Sequence, residues 1–227
     1  MNRTVFDAAG LTSLLSGSPV SAKVLVVLLH GYAMQPEDLE PFSHSIKANA
    51  LFCFPKAPLV APNGGFAWWP IDEAKRAAQL ERGARDLAEE RPETLALRRE
   101  QLGSFLRELR KISPSIPLVV GGFSQGGMLA SDFVLHSPGW ASGLVLMSSS
   151  RISVAEWSSH QRTVQDLPML ISHGRSDKDL AFSTGEALRD FHAAGGARIT
   201  WVPFEGGHEI PLIVWRSLRT FLRTLCA

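Results

Sequence analysis

The sequence predicts an α/β fold in which a mostly parallel central sheet carries helices on both faces. Three observations predict it. Short β-branched apolar runs recur along the chain without polar alternation, and patterns with apolar residues three and four apart separate them. No repeat, linker or low-complexity tract interrupts the series, so residues 1–227 are expected to form one domain. Strands that are apolar throughout belong in a parallel sheet covered on both sides. Alternation of strands with helices predicts right-handed crossovers between parallel neighbours.

The expected strands are Lys23–Leu29, Ala50–Phe54, Pro117–Gly121, Gly143–Met147, Pro168–Ser172 and Arg198–Val202. Residues 1–20 offer an edge strand on a weaker pattern. Pro36-Glu37-Asp38 reads as the acidic first turn of a helix continuing towards Ala48, because proline suits the first turn and acids suit the positive end of the helix dipole. Pro92 opens a second helix, in which Leu102, Phe105, Leu106, Leu109 and Ile112 form one apolar stripe. Further helices are expected over Gln125–His136, Thr184–Ala193 and Pro211–Leu225. The charged stretch from Glu73 to Lys111 mixes both signs and reads as solvated helix faces, with nothing in it that argues for a site.

Composition excludes several function classes. With 227 residues, 45% hydrophobic and 20% charged, the chain can bury a sizeable core. Twenty-three Lys and Arg stand against 22 Asp and Glu, a net charge of +1, too little to hold a nucleic-acid backbone or an anionic bilayer. No stretch approaches the roughly 20 apolar residues of a membrane-spanning helix, so stable membrane insertion is not expected. The first twenty residues lack the apolar centre of a signal peptide. Two cysteines, one penultimate, exclude a disulfide scaffold. The expectation is a cytoplasmic protein, monomer or homodimer, acting on a small molecule.

The chemistry is concentrated at one turn. An apolar strand runs through Leu118-Val119-Val120 into Gly122-Phe123-Ser124-Gln125-Gly126, and a helical pattern follows. A serine on a sharp strand-to-helix turn is held in strained geometry with its hydroxyl presented, and flanking glycines let strand and helix pass closely. The Gln125 N–H opens the helix and is free to face a developing oxyanion.

Serine needs a base to take its proton, and the base needs an acid to orient it. Asp177 lies in the loop His173-Gly174-Arg175-Ser176-Asp177 just after the strand Pro168–Ser172, and His208 lies just after the strand Arg198–Val202. The order Ser124, Asp177, His208 is that of an α/β-hydrolase triad, and loops at the carboxyl ends of parallel strands converge. Asp179 and Glu205 are the other acids nearby. His173 precedes the acid and is expected to brace its loop; His44, His136, His160 and His192 lack strand context.

The first core strand ends in His30-Gly31-Tyr32-Ala33-Met34, a turn of the kind that supplies the second oxyanion N–H, here from Tyr32, with His30 shaping the turn. In Gly64-Gly65-Phe66-Ala67-Trp68-Trp69-Pro70, adjacent tryptophans cannot both point one way. One is expected to pack inward while the other, Trp69, walls a substrate pocket; packing of both is the alternative. Met34, Met128 and Leu180 are further candidates for an acyl-binding lining. The histidines lack zinc-site spacing, so no metal and no cofactor are expected.

Together Leu29-His30-Gly31-Tyr32, Gly122-Phe123-Ser124-Gln125-Gly126-Gly127, His173-Gly174-x-x-Asp177 and Gly207-His208-Glu209 resemble the phospholipase/carboxylesterase family of small serine hydrolases, from about residue 22 onward. The resemblance implies a compact α/β-hydrolase without a large cap, cleaving carboxylic esters or thioesters without a cofactor. By that likeness Ser124, Asp177 and His208 form the triad, with the Tyr32 and Gln125 N–H groups as oxyanion hole. Two positions depart from the family pattern: Ala33 stands where a glycine is usual, and Leu180-Ala181 where Val-Pro usually follows the acid. The function expected is a carboxylesterase for small to medium acyl chains. A thioesterase or lysophospholipase for long chains is the alternative, and a catalytically silent binder is the reading from another class.

Overall fold

The computed structural model describes residues 3–46 and 48–226. Its eight-stranded sheet has the order β1-β2-β4-β3-β7-β8-β9-β10. These strands are β1 (Arg3–Ala8), β2 (Leu11–Ser16), β3 (Val24–Leu29), β4 (Ala50–Pro55), β7 (Leu118–Phe123), β8 (Gly143–Met147), β9 (Pro168–Gly174) and β10 (Arg198–Phe204). From β4 to β10 all neighbours are parallel, while β1 pairs with β2 and β2 with β4 in antiparallel fashion. The expected mostly parallel sheet is therefore present. The small antiparallel pair β5 (Leu59–Val60) and β6 (Phe66–Ala67) lies apart from it.

Helices cover both faces. Along β3, Leu25, Val27 and Leu29 enter one apolar cluster and Val24, Val26 and Leu28 the other, as alternation along a strand requires. The first cluster takes in Leu102, Phe105, Leu106 and Leu109 of α3 (Leu95–Arg110), α4 (Gln125–His136) and Leu188 and Phe191 of α6 (Phe182–Ala194). The second is closed by Ile46 of α1 (Glu40–Ile46) and by Val214, Trp215, Leu218 and Phe221 of α7 (Leu212–Leu225). The remaining helices are α2 (Glu73–Leu80) and the short α5 (Val154–Ser159). Among the described residues no helix is long and apolar enough to cross a membrane.

Several boundaries differ from expectation for local reasons. The helix expected from Pro36 is a short 3₁₀ turn over Pro36–Asp38 followed by α1. Pro41 has no N–H to continue the first turn, so the chain restarts there. The second long helix begins at Leu95 rather than at Pro92, behind Thr94. β9 and β10 run two residues further than expected because pairing continues through Pro203↔His173 and Phe204↔Gly174. Pro203 is tolerated because β10 is the sheet edge. The edge strand expected within residues 1–20 is a two-strand hairpin, β1 and β2.

The strand order reverses at β3, which has β4 on one side and β7 on the other. Ligands of open α/β sheets sit at the carboxyl ends of the strands beside such a reversal. The turns leaving β3, β7, β9 and β10 meet at that edge.

Candidate active site

Ser124 sits between β7 and α4 with φ 51° and ψ −118°, outside the regions open to ordinary L-residues. Its main chain is fixed on both sides. The Ser124 N–H donates to Met147 O at 2.9 Å, and its carbonyl accepts from Met128 N–H and from Ser149 Oγ, each at 3.1 Å. The glycines are required by crowding: a Cβ on Gly122 would lie 2.5 Å from the Gly126 carbonyl carbon and 2.6 Å from Leu29 O. A Cβ on Gly126 would collide with the carbonyls of Leu29 and His30. The first strand, the turn and the helix therefore interlock only when both positions lack side chains.

Asp177 and His208 leave the adjacent strands β9 and β10. Their loops are stitched together by Arg175 N–H to Phe204 O and Ser176 N–H to Gly206 O, each at 2.9 Å. Within this frame His208 Nδ1 lies 2.8 Å from Asp177 Oδ2. The other carboxylate oxygen accepts from the N–H groups of Asp179 at 2.8 Å and Leu180 at 2.9 Å. Burial alone would raise the Asp177 carboxyl, but hydrogen bonds from His173, His208 and the Leu180 N–H outweigh it and hold the group well below the usual carboxylate range. His173 Nε2 stands 3.0 Å from Leu180 O and 3.4 Å from Asp177 Oδ2, so this histidine braces the acid loop.

Neither competing acid is bonded to His208 Nδ1. Glu205 is an exposed partner of Arg175. Asp179 is bound by Arg85 and by Arg76 and is 3.9 Å from His208 Nε2, on the far side of the ring from Asp177. The His208 ring packs against Phe123 with centroids 4.8 Å apart. Among the described residues no hydrogen bond joins Ser124 Oγ to His208, although both face one cavity. Such bonds are often long before substrate arrives.

The turn after β3 supplies the opposite wall. His30 is buried, its Nδ1 donating to Gly31 O at 2.7 Å while Nε2 accepts from Ala57 N–H at 3.1 Å. Burial lowers its pKa to about 4, so the ring is a neutral structural element. The main-chain N–H groups of Tyr32 and Gln125 donate to no protein group among the described residues. A functional residue that sequence reasoning missed is the Gln125 side chain. Its Oε1 accepts from Trp68 N–H and its Nε2 donates to Trp69 O, both at 2.9 Å. Trp68 is 1% exposed and donates its indole N–H to His30 O at 2.9 Å. The signal that could have found this was the glutamine following the serine, whose side chain has no helical neighbour to serve.

Ser124, His208, Tyr32 and Gln125 border a cavity of about 570 Å³. Trp69, Met34, Met128 and Leu180 all line it, and Trp68 does not. The expectation that the charged stretch from Glu73 onward holds no site residues does not hold. Lys75, Arg76, Arg85, Glu90 and Arg91 form part of the cavity wall. α2 has no buried residue, yet its Lys75, Arg76 and Gln79 line the cavity, and it is tied down by Arg76–Asp179 and by Tyr32 Oη donating to Glu73 Oε1 at 2.6 Å. Among the described residues no group of three or more His, Cys, Asp or Glu side chains is placed to hold a metal ion.

The sequence profile of the phospholipase/carboxylesterase family matches residues 16–226. The chain belongs to this family. It is thereby a serine hydrolase, of a family that acts on small-molecule esters. Acyl-protein thioesterase 1 of Yarrowia lipolytica is 29% identical over 167 residues, covering 68% of each chain. Among solved structures, esterase PE8 is 25% identical, covers 93% of this chain and 97% of its own, and superposes with a TM-score of 0.72. Zea mays acyl-protein thioesterase 2 shares the fold, with a TM-score of 0.76 at 18% identity over 95% of this chain and 99% of its own.

The backbone accommodates one of the two positions noted as departures from the family pattern. Ala33 adopts φ 59°, in the left-handed region that favours glycine. Its N–H donates to Phe66 O at 2.9 Å and Met34 pairs with Phe66, so the turn is held to the β5–β6 hairpin despite the Cβ.

Proposed function

We propose that this hydrolase is a carboxylesterase for small to medium acyl chains, working through Ser124, His208 and Asp177. The observation that carries the reading is the 2.8 Å contact of His208 Nδ1 with a buried, ionised Asp177, on a ring that opens with Ser124 into one cavity. Ser124 Oγ attacks the acyl carbon, and its proton passes to His208 Nε2. The tetrahedral oxyanion is held by the N–H groups of Tyr32 and Gln125. Collapse breaks the bond to the leaving oxygen, which takes the proton from His208. Water then attacks the acyl-enzyme, giving its proton to His208, and collapse releases the acid as Ser124 recovers a proton. Asp177 stays ionised throughout and fixes the tautomer. Removing one oxyanion donor of this kind costs about 2.7–4 kcal/mol of transition-state stabilisation.

The pocket supports an apolar acyl group. Trp69, Met128, Leu180 and Met34 supply apolar walls, and a volume of about 570 Å³ must hold acyl and leaving groups together. A second reading, hydrolysis of long-chain thioesters, is favoured by the likeness to the Yarrowia lipolytica protein named acyl-protein thioesterase 1.

The test is hydrolysis of p-nitrophenyl esters from acetate to palmitate, beside a palmitoyl thioester, for wild type and Ser124→Ala. The expected result is an optimum at short to medium chains and a loss on the order of 10⁶ in kcat for the variant. An optimum at palmitate or on the thioester replaces the first reading with the second. Unlabelled, inert yet folded wild type after fluorophosphonate treatment overturns both.

A further inference from the structure

His208 lies between two carboxylates, and the mechanism above uses only one. Asp177 Oδ2 faces Nδ1 at 2.8 Å, whereas Asp179 Oδ2 stands 3.9 Å from Nε2, the nitrogen that receives the proton. Asp179 is not a free surface acid. Its side chain is 19% exposed, Arg76 Nη2 donates to Oδ2 at 3.0 Å, and Arg85 Nε donates to Oδ1 at 3.1 Å with a second, shorter contact from Nη2. The arrangement is built into the backbone as well. The Arg85 N–H donates to Asp179 O at 2.9 Å and Arg85 O accepts from the Ala181 N–H at 3.0 Å. A short piece of chain leading from α2 is thus laid beside the acid loop as a one-residue strand, Arg85 against Leu180.

Two opposed effects follow. A bare carboxylate 3.9 Å from Nε2 would hold the proton on His208 and remove the base. Two arginines on that carboxylate weaken its field without abolishing it. We propose that Asp179, charge-compensated by Arg85 and Arg76, is a positioning residue that sets the proton affinity of His208 from its Nε2 side. The inference rests on His208 being the general base of the proposed function.

The other groups facing the ring are accounted for. Asp177 with His173 behind it occupies the Nδ1 side. Glu73 is engaged by Arg76 at 3.5 Å and by the Tyr32 hydroxyl at 2.6 Å, and makes no ion pair with His208 among the described residues. Glu209, next in the chain, turns its Oε1 to the Gly207 N–H at 3.2 Å, and its main-chain carbonyl accepts from Ser148 Oγ. Phe123 covers one face of the ring and carries no charge. Asp179 and its arginines are therefore the charges that differ between the two nitrogens.

The test reads opposite signs. The His208 imidazole is titrated by NMR in Ser124→Ala protein, with Asp179→Asn or Arg76→Gln added, and the acid limb of kcat/KM is followed with p-nitrophenyl acetate in the proteins that keep Ser124. Asp179→Asn removes the anion, leaves both cations and retains an oxygen for Arg85, so the midpoint falls by about one pH unit. Arg76→Gln removes one compensating cation, so the midpoint rises. Midpoints unchanged in both variants, or displaced in the same direction as general loosening of the loop would do, overturn the inference. If Ser124→Ala still hydrolyses ester, the proposed function fails instead, while the titration still reads Asp179.

Discussion

Gln125 receives the main-chain N–H of Trp68 on its Oε1 at 2.9 Å, which ties the tryptophan loop to the residue that follows the candidate nucleophile. The same side chain donates to Trp69 O at 2.9 Å, so one amide satisfies a donor and an acceptor of the buried loop. It also couples the wall of the pocket to the turn that holds the proposed oxyanion donor, the Gln125 N–H. Gln125→Ala keeps the main-chain N–H but leaves two buried backbone groups without partners, each costing about 1–3 kcal/mol. Urea denaturation is expected to show a loss of about 2–6 kcal/mol. Because Trp69 is released from its place in the pocket, KM for a butyrate ester rises more than kcat falls. A variant as stable as wild type would show that water replaces the amide.

Two residues carry left-handed backbone at the site for different reasons, and replacement by glycine separates them. Ser124 has φ 51° and Ala33 has φ 59°. Such conformations cost of order 1–3 kcal/mol for residues with a Cβ. Ser124→Gly is expected to be inactive yet more stable than Ser124→Ala by about 1 kcal/mol, because the strain belongs to the backbone that presents the hydroxyl. Ala33→Gly is expected to gain stability by a similar amount while hydrolysis continues, since the turn supplies main-chain groups only. Paired thermal unfolding and ester assays decide both. Equal stability of Ser124→Gly and Ser124→Ala would remove strain from the account of the elbow.

The parallel part of the sheet was legible because its strands are apolar on both faces, as β3, β7 and β8 are throughout. β1 escaped that logic: four of its six positions are exposed, so it carries no apolar run. α2 lies in the stretch read as solvated helix faces, but none of its residues is buried, so no buried run marks its bounds. Ser124, Asp177 and His208, the proposed triad, are legible as candidates because each follows a strand end, so one local rule points to all three. The Asp179–Arg85 pair joins residues 94 positions apart, and neither follows a pattern that names the other. Contacts of that kind exist only once the sheet has brought the loops together. The Gln125 side chain is the intermediate case, visible in the motif but not readable as a clamp until the tryptophan loop is in place.

Acid stability carries a further expectation, because two buried histidines are neutral in the fold. Burial lowers His30 to about 4 and His192 to about 3. In the unfolded chain both return to about 6.5. Between those limits the unfolded state binds more protons, so the two imidazoles make stability fall as pH falls below about 6.5, and they have no effect above it. Asp177 acts in the same direction further down: its carboxyl is held low, so its contribution is present above the ordinary carboxylate range and is lost on acidification. Asp132 opposes the trend, since burial outweighs Arg99 and Trp157 and holds its carboxyl above the ordinary range, leaving the folded state with the extra proton. A single variant isolates one imidazole from this sum. His192 offers Nε2 to Ser131 Oγ at 2.9 Å while its Nδ1 is buried without a partner, so glutamine can keep the first contact and has no ring to titrate. Urea unfolding at pH 7.5, 6.0 and 5.0 is expected to show that His192→Gln loses less stability than wild type on acidification. The difference is one proton, or about 1.4 kcal/mol per pH unit below pH 6. Parallel pH dependence in the two proteins would show that His192 is already charged in the folded state.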